Sequence, residues 1–233
     1  MIQREIINPP VIADLIREQA RRRPDQVGLS FEGRDFTYGE MNERASRVAQ
    51  GLLALGAGRG DRIVWLARNV GGFWDALFGA MKIGAVLTPV NWRLSPAEVA
   101  QIISDAKPKL VVGEKQFLDA LAQAGLGGDA KIMSVEAGGP DCFDAFVDAQ
   151  EAREPDYRPA ADDVVVQLYT SGTTGLPKGV VLTNRCYHEV NKAGCEAQII
   201  IPQSEDEAIV HALPHFHVAG VNFGLMGIAR SMP

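Results

Sequence analysis

Short apolar runs alternate with helix-length amphipathic segments along most of the sequence, and this alternation constrains the fold more than any other feature. Apolar runs at residues 61–67, 85–90 and 109–113 have the length of strands, and segments with helical spacing of their apolar residues separate them. Strands that alternate with helices of this length are typical of parallel sheets covered on both faces. The sequence therefore predicts an α/β fold of mostly parallel, doubly wound sheets flanked by helices.

Capping boxes mark two of the helix starts, because a Ser or Thr is followed three residues later by a Glu that can return its hydrogen bond. Thr37 precedes Glu40 in this way, and Ser95 precedes Glu98. Residues 136–163 are richer in Gly, Pro, Asp and Glu, and we expect a surface connection with one short helix there. The remaining expected elements include a strand at 131–135, a helix at 186–198, a strand at 206–213 and a helix at 218–229.

A loop rich in Ser, Thr and Gly lies between two β-branched apolar runs, residues 164–169 and 180–182. Glycines allow a ligand to approach the backbone N–H groups, hydroxyls add donors, and a lysine adds a point positive charge. The pattern is not a Walker A motif, because a proline precedes the lysine and a glycine follows it. The prediction is a phosphate-binding loop between two strands, although composition alone also allows a hairpin without a ligand. The string is Tyr169-Thr170-Ser171-Gly172-Thr173-Thr174-Gly175-Leu176-Pro177-Lys178-Gly179-Val180.

Composition narrows the class of protein. The chain has 233 residues, 46% of them apolar, and a net charge of −6, which predicts a soluble globular protein and argues against nucleic-acid binding. Cys142, Cys186 and Cys195 are odd in number and form no C-x-x-C pair, so we expect free thiols in a reducing cytoplasm. No apolar stretch reaches the roughly 20 residues of a transmembrane helix, and no signal peptide is present at the N-terminus.

Four motifs in order resemble those of the adenylate-forming superfamily, which includes acyl-CoA synthetases, aryl-CoA ligases, luciferases and adenylation domains of peptide synthetases. In chain order, they are residues 36–41, residues 81–94, the loop at residues 169–180 and Leu213-Pro214-His215-Phe216-His217-Val218-Ala219-Gly220. The resemblance implies that residues 1–233 are the N-terminal part of the large AMP-binding domain, most like that of a fatty-acyl- or acyl-CoA synthetase. Members that activate amino acids carry an aspartate near the last motif. Phe216-His217 therefore favours an acid without an α-amino group.

The resemblance also implies a two-step reaction and a role for each site residue. A carboxylic acid and ATP give an acyl-adenylate, and coenzyme A then accepts the acyl group. Lys178 is expected to offset pyrophosphate charge, and Thr170 to ligate Mg²⁺ as well as contact ATP. His217 is expected to line the acyl site beside the reacting carboxylate, the alternative being a purely structural histidine, and His215 is given no role. The residues expected to hold the β- and γ-phosphates are Ser171, Gly172, Thr173, Thr174 and Gly175.

Members of the superfamily are much longer, and their downstream adenine, ribose and catalytic-lysine motifs have no counterpart in this sequence. We therefore expect a fragment that does not catalyse adenylation at a normal rate by itself. Two other functions remain open, a non-catalytic nucleotide-binding module and an adenylation domain that loads a carrier protein. The sequence does not distinguish a fatty, aryl or short-chain acid, and it leaves a homodimer open.

Overall fold

The structure is a computed structural model that describes residues 6–125, 130–136, 138–139, 141–170, 177–197, 199 and 207–233. A turn of 3₁₀ helix at Ile12–Asp14 precedes the first α-helix. The strands are β1 (Val27–Phe31), β2 (Arg34–Thr37), β3 (Arg62–Leu66), β4 (Val86–Pro89), β5 (Leu110–Gly113), β6 (Lys131–Ser134), β7 (Val164–Thr170) and β8 (Lys178–Thr183). The helices are α1 (Leu15–Arg22), α2 (Tyr38–Ala54), α3 (Gly72–Lys82), α4 (Pro96–Ala106), α5 (Lys115–Gln123), α6 (Phe143–Asp148), α7 (Asn184–Glu196) and α8 (Val218–Ala229).

Six of the strands form the central sheet, in the order β6-β5-β3-β4-β7-β8. β3 pairs in parallel with β4 and β5, β4 with β7, and β5 with β6, whereas β8 runs antiparallel to β7. β1 and β2 form a separate antiparallel pair. The predicted α/β fold with a mostly parallel sheet is confirmed.

Helices cover both faces of the central sheet. Successive strand residues point to opposite faces, so Ile63 and Trp65 of β3 join one core while Val64 and Leu66 join the other. The first core includes residues of α1, α2, α3, α7 and α8, and the second includes residues of α4 and α5. This arrangement confirms the doubly wound architecture. Within the described part of the chain, no helix combines the length and apolar character needed to cross a membrane.

Both predicted capping boxes form. The backbone N–H of Glu40 donates to Thr37 Oγ1 at 3.2 Å, and the Glu40 carboxylate accepts from the Thr37 N–H at 2.8 Å. Ser95 and Glu98 make the same reciprocal pair at the start of α4, where Pro96 is the first helical residue. Each cap satisfies backbone donors that a helix start otherwise leaves unpaired, which stabilises it by roughly 1 kcal/mol.

The segment expected to be a surface connection, residues 136–163, is held to the helical layer by an ion pair between its exposed Glu154 and a buried lysine. Lys82 at the end of α3 is fully buried, and its Nζ donates to Glu154 Oε1 at 2.7 Å and Oε2 at 2.6 Å. Lys82 Nζ also donates to Asn42 Oδ1 of α2 at 2.8 Å, and Arg17 of α1 donates to the Glu154 carboxylate. The connection therefore carries the counter-ion of a lysine inside the core.

The predicted strand at residues 206–213 is wrong for the residues that the structure describes. Residues 207–213 are irregular, although their exposure alternates as it does along a strand. Val210 is 88% exposed while its neighbours Ile209 and His211 are half-buried. The N–H of Ile209 donates to the Pro233 carbonyl at 2.9 Å. The segment has the apolar residues of a strand, but no strand among the described residues pairs with it.

Candidate functional site

The carboxyl ends of β3, β4 and β7 meet at one edge of the central sheet because the three strands are parallel neighbours. β3 leads into α3 on one face, whereas β4 leads into α4 on the other. Neighbouring strands whose connections leave to opposite faces open a crevice at their carboxyl ends, where α/β proteins commonly bind ligands. We call this region the carboxyl edge.

The predicted phosphate loop begins at this edge. Thr170 ends β7 and Lys178 begins β8, and the two residues lie directly opposite each other in the antiparallel register. Both are exposed, and no ion pair joins Lys178 to another described residue. The structure thus brings together the hydroxyl and the ammonium that flank the loop. Ser171, Gly172, Thr173, Thr174 and Gly175 lie outside the described residues, so their predicted phosphate contacts stay predictions.

A chain of polar side chains supports the end of β7. The Tyr169 hydroxyl donates to Asp105 Oδ2 of α4 at 2.5 Å, and Gln167 Nε2 donates to the Tyr169 hydroxyl at 3.0 Å. Arg62 Nε of β3 in turn donates to Gln167 Oε1 at 3.0 Å. Burial, followed by the bond to Asp105, raises the pKa of Tyr169, which keeps it protonated as a donor. Sequence analysis missed this network, although a glutamine inside an otherwise apolar strand was a signal for it.

Gly179 makes room for the same network. A Cβ at this position would lie 2.2 Å from Gln167 Nε2 and 3.2 Å from Tyr169 Cζ. Any side chain would therefore displace the glutamine amide, because a separation below about 3 Å is a steric overlap. Gly179 thus leaves space for the Gln167 amide, and a larger residue would require the end of that side chain to move.

We expect Tyr169→Phe to loosen the carboxyl end of β7 while leaving the ring in place. Because the acceptor Asp105 is exposed and can bond to water instead, loss of the hydroxyl should cost only about 0.5–1.5 kcal/mol. The expected result is faster amide hydrogen exchange at Thr170 and Lys178. Tyr157→Phe is a matched control, because it removes a 2.6 Å bond from a tyrosine to Asp163 elsewhere in the fold. Equal protection of Thr170 and Lys178 in both variants would contradict this role of Asp105.

His217 occupies the N-cap of α8. Its Nδ1 accepts a hydrogen bond from the Ala219 N–H at 3.2 Å, so in the neutral ring the proton resides on Nε2. The His217 N–H donates to the Pro214 carbonyl at 3.1 Å, which closes the turn before the helix. The residue is exposed. An exposed imidazole held through Nδ1 leaves Nε2–H available to an oxygen of a ligand.

The turn packs tightly against α8 at Gly220. A Cβ there would lie 2.0 Å from the Pro214 carbonyl oxygen. His215 fills the other side of the turn: it is buried, and its ring stacks on Phe73 at 4.0 Å and meets Trp74 edge-on at 5.4 Å. Burial, with a smaller effect of His211, lowers the pKa of His215 to about 3. His215 is therefore a neutral packing residue, in keeping with the absence of a predicted role.

Two contacts fasten the turn to the carboxyl edge. Asn69, after β3, donates to the Leu213 carbonyl at 2.9 Å and accepts from the His215 N–H at 3.2 Å. Arg93, after β4, lies over the Phe216 ring at 5.7 Å. The turn with His217 thus lies at the same edge as Thr170 and Lys178. Among the described residues, no hydrogen bond joins His217 to either of them.

A cleft of about 390 Å³ lies beside this turn. Its lining is mostly apolar, with Leu29, Met41, Trp74 and Ile228 among the contributing side chains. Asn69 and His215 also contribute, and no carboxylate is present among the described residues that line it.

The arrangement of a hydroxyl- and glycine-rich hairpin at the carboxyl edge of a doubly wound sheet is typical of α/β proteins that bind phosphorylated ligands. Residues 16–231 match the sequence profile of the AMP-binding enzyme family. This match covers most of the chain, and the protein belongs to the AMP-binding enzyme family.

Similar proteins include two curated ligases. A fatty acid–[acyl-carrier-protein] ligase, ScoC, from Streptomyces coeruleorubidus is 32% identical over 87% of this chain and 38% of its own length. The long-chain-fatty-acid–CoA ligase FadD13 from Mycobacterium tuberculosis is 36% identical over 84% of this chain and 39% of its own length. The chain therefore spans less than half the length of the curated relatives it matches.

A solved structure shares the fold. The inhibitor-bound N-terminal domain of FACL13 from Mycobacterium tuberculosis is 31% identical, with a TM-score of 0.80 over 95% of this chain and 56% of that one. The likeness therefore extends across almost all of the chain.

Proposed function

We propose that the whole protein activates a carboxylic acid as an acyl-adenylate and then transfers the acyl group to the thiol of coenzyme A. The observation that carries the proposal is the common position of the Thr170–Lys178 hairpin and the His217 turn at the carboxyl edge. One element suits a polyphosphate, and the other presents an imidazole N–H to an oxygen. Family membership supports this reaction class.

In the first step a carboxylate oxygen attacks the α-phosphorus of ATP. The bond from that phosphorus to the bridging oxygen breaks, and pyrophosphate leaves with the electron pair. Lys178 offsets the charge on the departing phosphates, while His217 Nε2–H orients the attacking carboxylate. Fixed donors aimed at developing charge are the main catalytic device for such a transfer.

Thr170 is the described residue that fits a role in holding Mg²⁺. Its hydroxyl is a hard oxygen ligand at the mouth of the loop, and Mg²⁺ commonly takes one or two protein oxygens together with phosphate oxygens and water. The described residues contain no cluster of three or more His, Cys, Asp or Glu that could form a complete protein cage. The ion would neutralise phosphate charge when bound.

In the second step the thiol sulfur attacks the carbonyl of the mixed anhydride. A carbon–sulfur bond forms, the carbon–oxygen bond to AMP breaks, and the thiol gives up its proton. A phosphopantetheinyl thiol on a carrier protein has the same chemistry as coenzyme A. The carrier is a second candidate acceptor because ScoC is an acyl-carrier-protein ligase.

An acid without an α-amino group is the proposed substrate class. The described lining of the cleft beside the turn offers no carboxylate to pair with an ammonium group. Burying an unpaired charge in a mostly apolar cleft is costly, whereas a hydrocarbon or aryl group is accommodated. Two relatives are named for fatty acids, whereas a feruloyl-CoA synthase and a 4-coumarate–CoA ligase match at similar identity, so the proposed class includes both fatty and aryl acids.

ATP–pyrophosphate exchange on the full-length protein tests the proposal with a panel of fatty, aryl, short-chain and amino acids. We expect exchange with at least one non-amino acid, and acyl transfer to coenzyme A when it is added. Transfer only to a phosphopantetheinylated carrier would show that the acceptor is a carrier protein and not coenzyme A. Exchange with amino acids alone would overturn the substrate class. Tight ATP binding without exchange would identify a nucleotide-binding module instead of an enzyme.

A further inference from the structure

We propose that Asn69 is a positioning residue that holds the Leu213–His217 turn, and with it His217, against the carboxyl edge. The inference rests on the proposed function, because it assigns to Asn69 the placement of the imidazole that faces the reacting carboxylate. Asn69 lies far from His217 in sequence, and it acts through the turn without any direct bond to the histidine.

The side-chain amide of Asn69 makes two complementary bonds to the turn. Its Nδ2 donates to the Leu213 carbonyl at 2.9 Å, and its Oδ1 accepts from the His215 N–H at 3.2 Å. These two backbone groups lie on either side of Pro214, whose own carbonyl accepts from the His217 N–H at 3.1 Å. A continuous set of hydrogen bonds therefore runs from the end of β3 to the N-cap of α8. A side-chain amide supplies both the donor and the acceptor that these two backbone groups need.

The backbone next to Asn69 is itself held in place by hydrogen bonds. Its neighbour Arg68 donates from the backbone N–H to Glu114 Oε1 at 2.7 Å and from Nη2 to Glu114 Oε2 at 2.6 Å. The backbone N–H of Glu114 donates to the Leu66 carbonyl at 3.0 Å, which ties the ends of β3 and β5 together. Asn69 thus follows the end of β3, which hydrogen bonds already join to the end of β5.

Packing contacts hold the turn in addition to the Asn69 hydrogen bonds. The buried His215 ring stacks on Phe73, and Gly220 places its backbone against the Pro214 carbonyl. Neither contact supplies a hydrogen bond to the Leu213 carbonyl or to the His215 N–H. Without the Asn69 amide, the turn keeps its packing on Phe73 and its contact with Arg93 but loses both hydrogen bonds to the residue that follows β3, so we expect the turn and His217 to shift.

Loss of this clamp should affect chemistry more than ATP binding. A misplacement of about 1 Å at a reacting group can lower a rate by as much as 10²-fold. The phosphate hairpin is supported separately, through Tyr169 and Asp105. We therefore expect Asn69→Ala in the full-length protein to lower kcat for ATP–pyrophosphate exchange by about 10–100-fold, with the KM for ATP nearly unchanged.

The test combines graded variants with a double-mutant cycle. Asn69→Asp keeps the acceptor for the His215 N–H and should lose less activity than Asn69→Ala. Gln116→Ala is the matched control, because it removes an amide at the same edge that bonds to Glu114 at 2.8 Å and does not touch the turn. If Asn69 acts through His217, then Asn69→Ala should add little to the loss caused by His217→Ala.

Additive losses in the double variant, or a rise in the KM for ATP that accounts for the loss, would overturn the proposal. Amide hydrogen exchange at His215 and His217 supplies a readout that does not depend on activity. We expect about 10-fold faster exchange there in Asn69→Ala, because both hydrogen bonds of the clamp are lost. Unchanged protection in Asn69→Ala would refute the clamp, whether or not the wild-type protein adenylates an acid. If Asn69→Ala loses protection but the wild-type protein is inactive, only the proposed function is contradicted.

Discussion

Replacing Lys178 with alanine in the full-length protein is expected to lower ATP–pyrophosphate exchange by about 10²–10³-fold, the usual effect of removing one fixed donor to developing charge. Lys178 is exposed, lies opposite Thr170 across the hairpin, and forms no ion pair with another described residue. Its ammonium is therefore available to a polyphosphate. The fold should be unaffected, because the side chain packs on no core.

Two further variants test whether the loss of exchange is specific to the ammonium group of Lys178. Lys178→Arg keeps the charge but replaces a compact ammonium by a planar fork, so we expect partial activity. Lys192→Ala removes an exposed lysine of α7 and should retain wild-type exchange. An unaltered rate in Lys178→Ala would contradict the phosphate contact. An equal loss in Lys192→Ala would show that a general loss of positive charge explains the data better.

Replacing Glu154 with alanine is expected to destabilise the fold by about 3 kcal/mol, because it leaves the fully buried Lys82 without its counter-ion. Removing one partner of a buried pair typically costs about 3–5 kcal/mol. The lower end applies here because the Glu154 side chain is 39% exposed and solvent screens part of its charge. Urea-induced unfolding of the full-length protein measures the loss. Glu151→Ala, an exposed glutamate of the same segment, is the control.

Adding Lys82→Met to Glu154→Ala should restore part of the lost stability, since the buried charge is then absent. If the double variant is no more stable than Glu154→Ala, packing lost around Glu154 is responsible instead of the uncompensated lysine.

The same pair predicts how stability depends on pH. Although burial opposes it, bonding to Lys82 and Arg17 holds the pKa of Glu154 below its ordinary value. A carboxylate with a lowered pKa stabilises the fold above the unfolded-state pKa, and that contribution is lost as the pH falls through the folded-state pKa. Wild-type stability should therefore fall in acid below about pH 4, and Glu154→Ala should show a smaller fall.

Burial lowers the pKa of Lys82 to about 8, so the unfolded chain binds more protons than the folded one between that pH and its ordinary pKa of 10.5. Stability should rise through this alkaline window in the wild type. The rise should be absent from Lys82→Met, and unfolding curves at pH 7 and pH 10 separate the two outcomes.

Local signals made much of the fold predictable. Both capping boxes form because their donors and acceptors lie three residues apart. The strand predicted at residues 206–213 was wrong for the opposite reason: apolar composition is a local signal, whereas a strand needs a distant partner. For the same reason, sequence analysis could place Thr170 and Lys178 at the ends of one loop but could not show what supports them.

The contacts that matter most at the site join residues far apart in the chain. Asp105 and Tyr169 are 64 positions apart, and Asn69 and Leu213 are 144 apart. Neither Asn69 nor Asp105 belongs to a recognisable motif, so only the folded chain reveals their roles. The Lys82–Glu154 pair, separated by 72 positions, was not predicted either, because the segment that contains Glu154 has the composition of an ordinary surface connection.

The antiparallel return of β8 separates the energetics of ligand binding from those of folding. Because β8 pairs with β7 along its whole length, both flanks of the loop are anchored without any contribution from the residues between them. Closing a loop between anchored ends costs only about 0.6 kcal/mol for each doubling of its length. Under the proposed function, changes in the length of this loop would therefore alter nucleotide binding at little cost to the stability of the sheet.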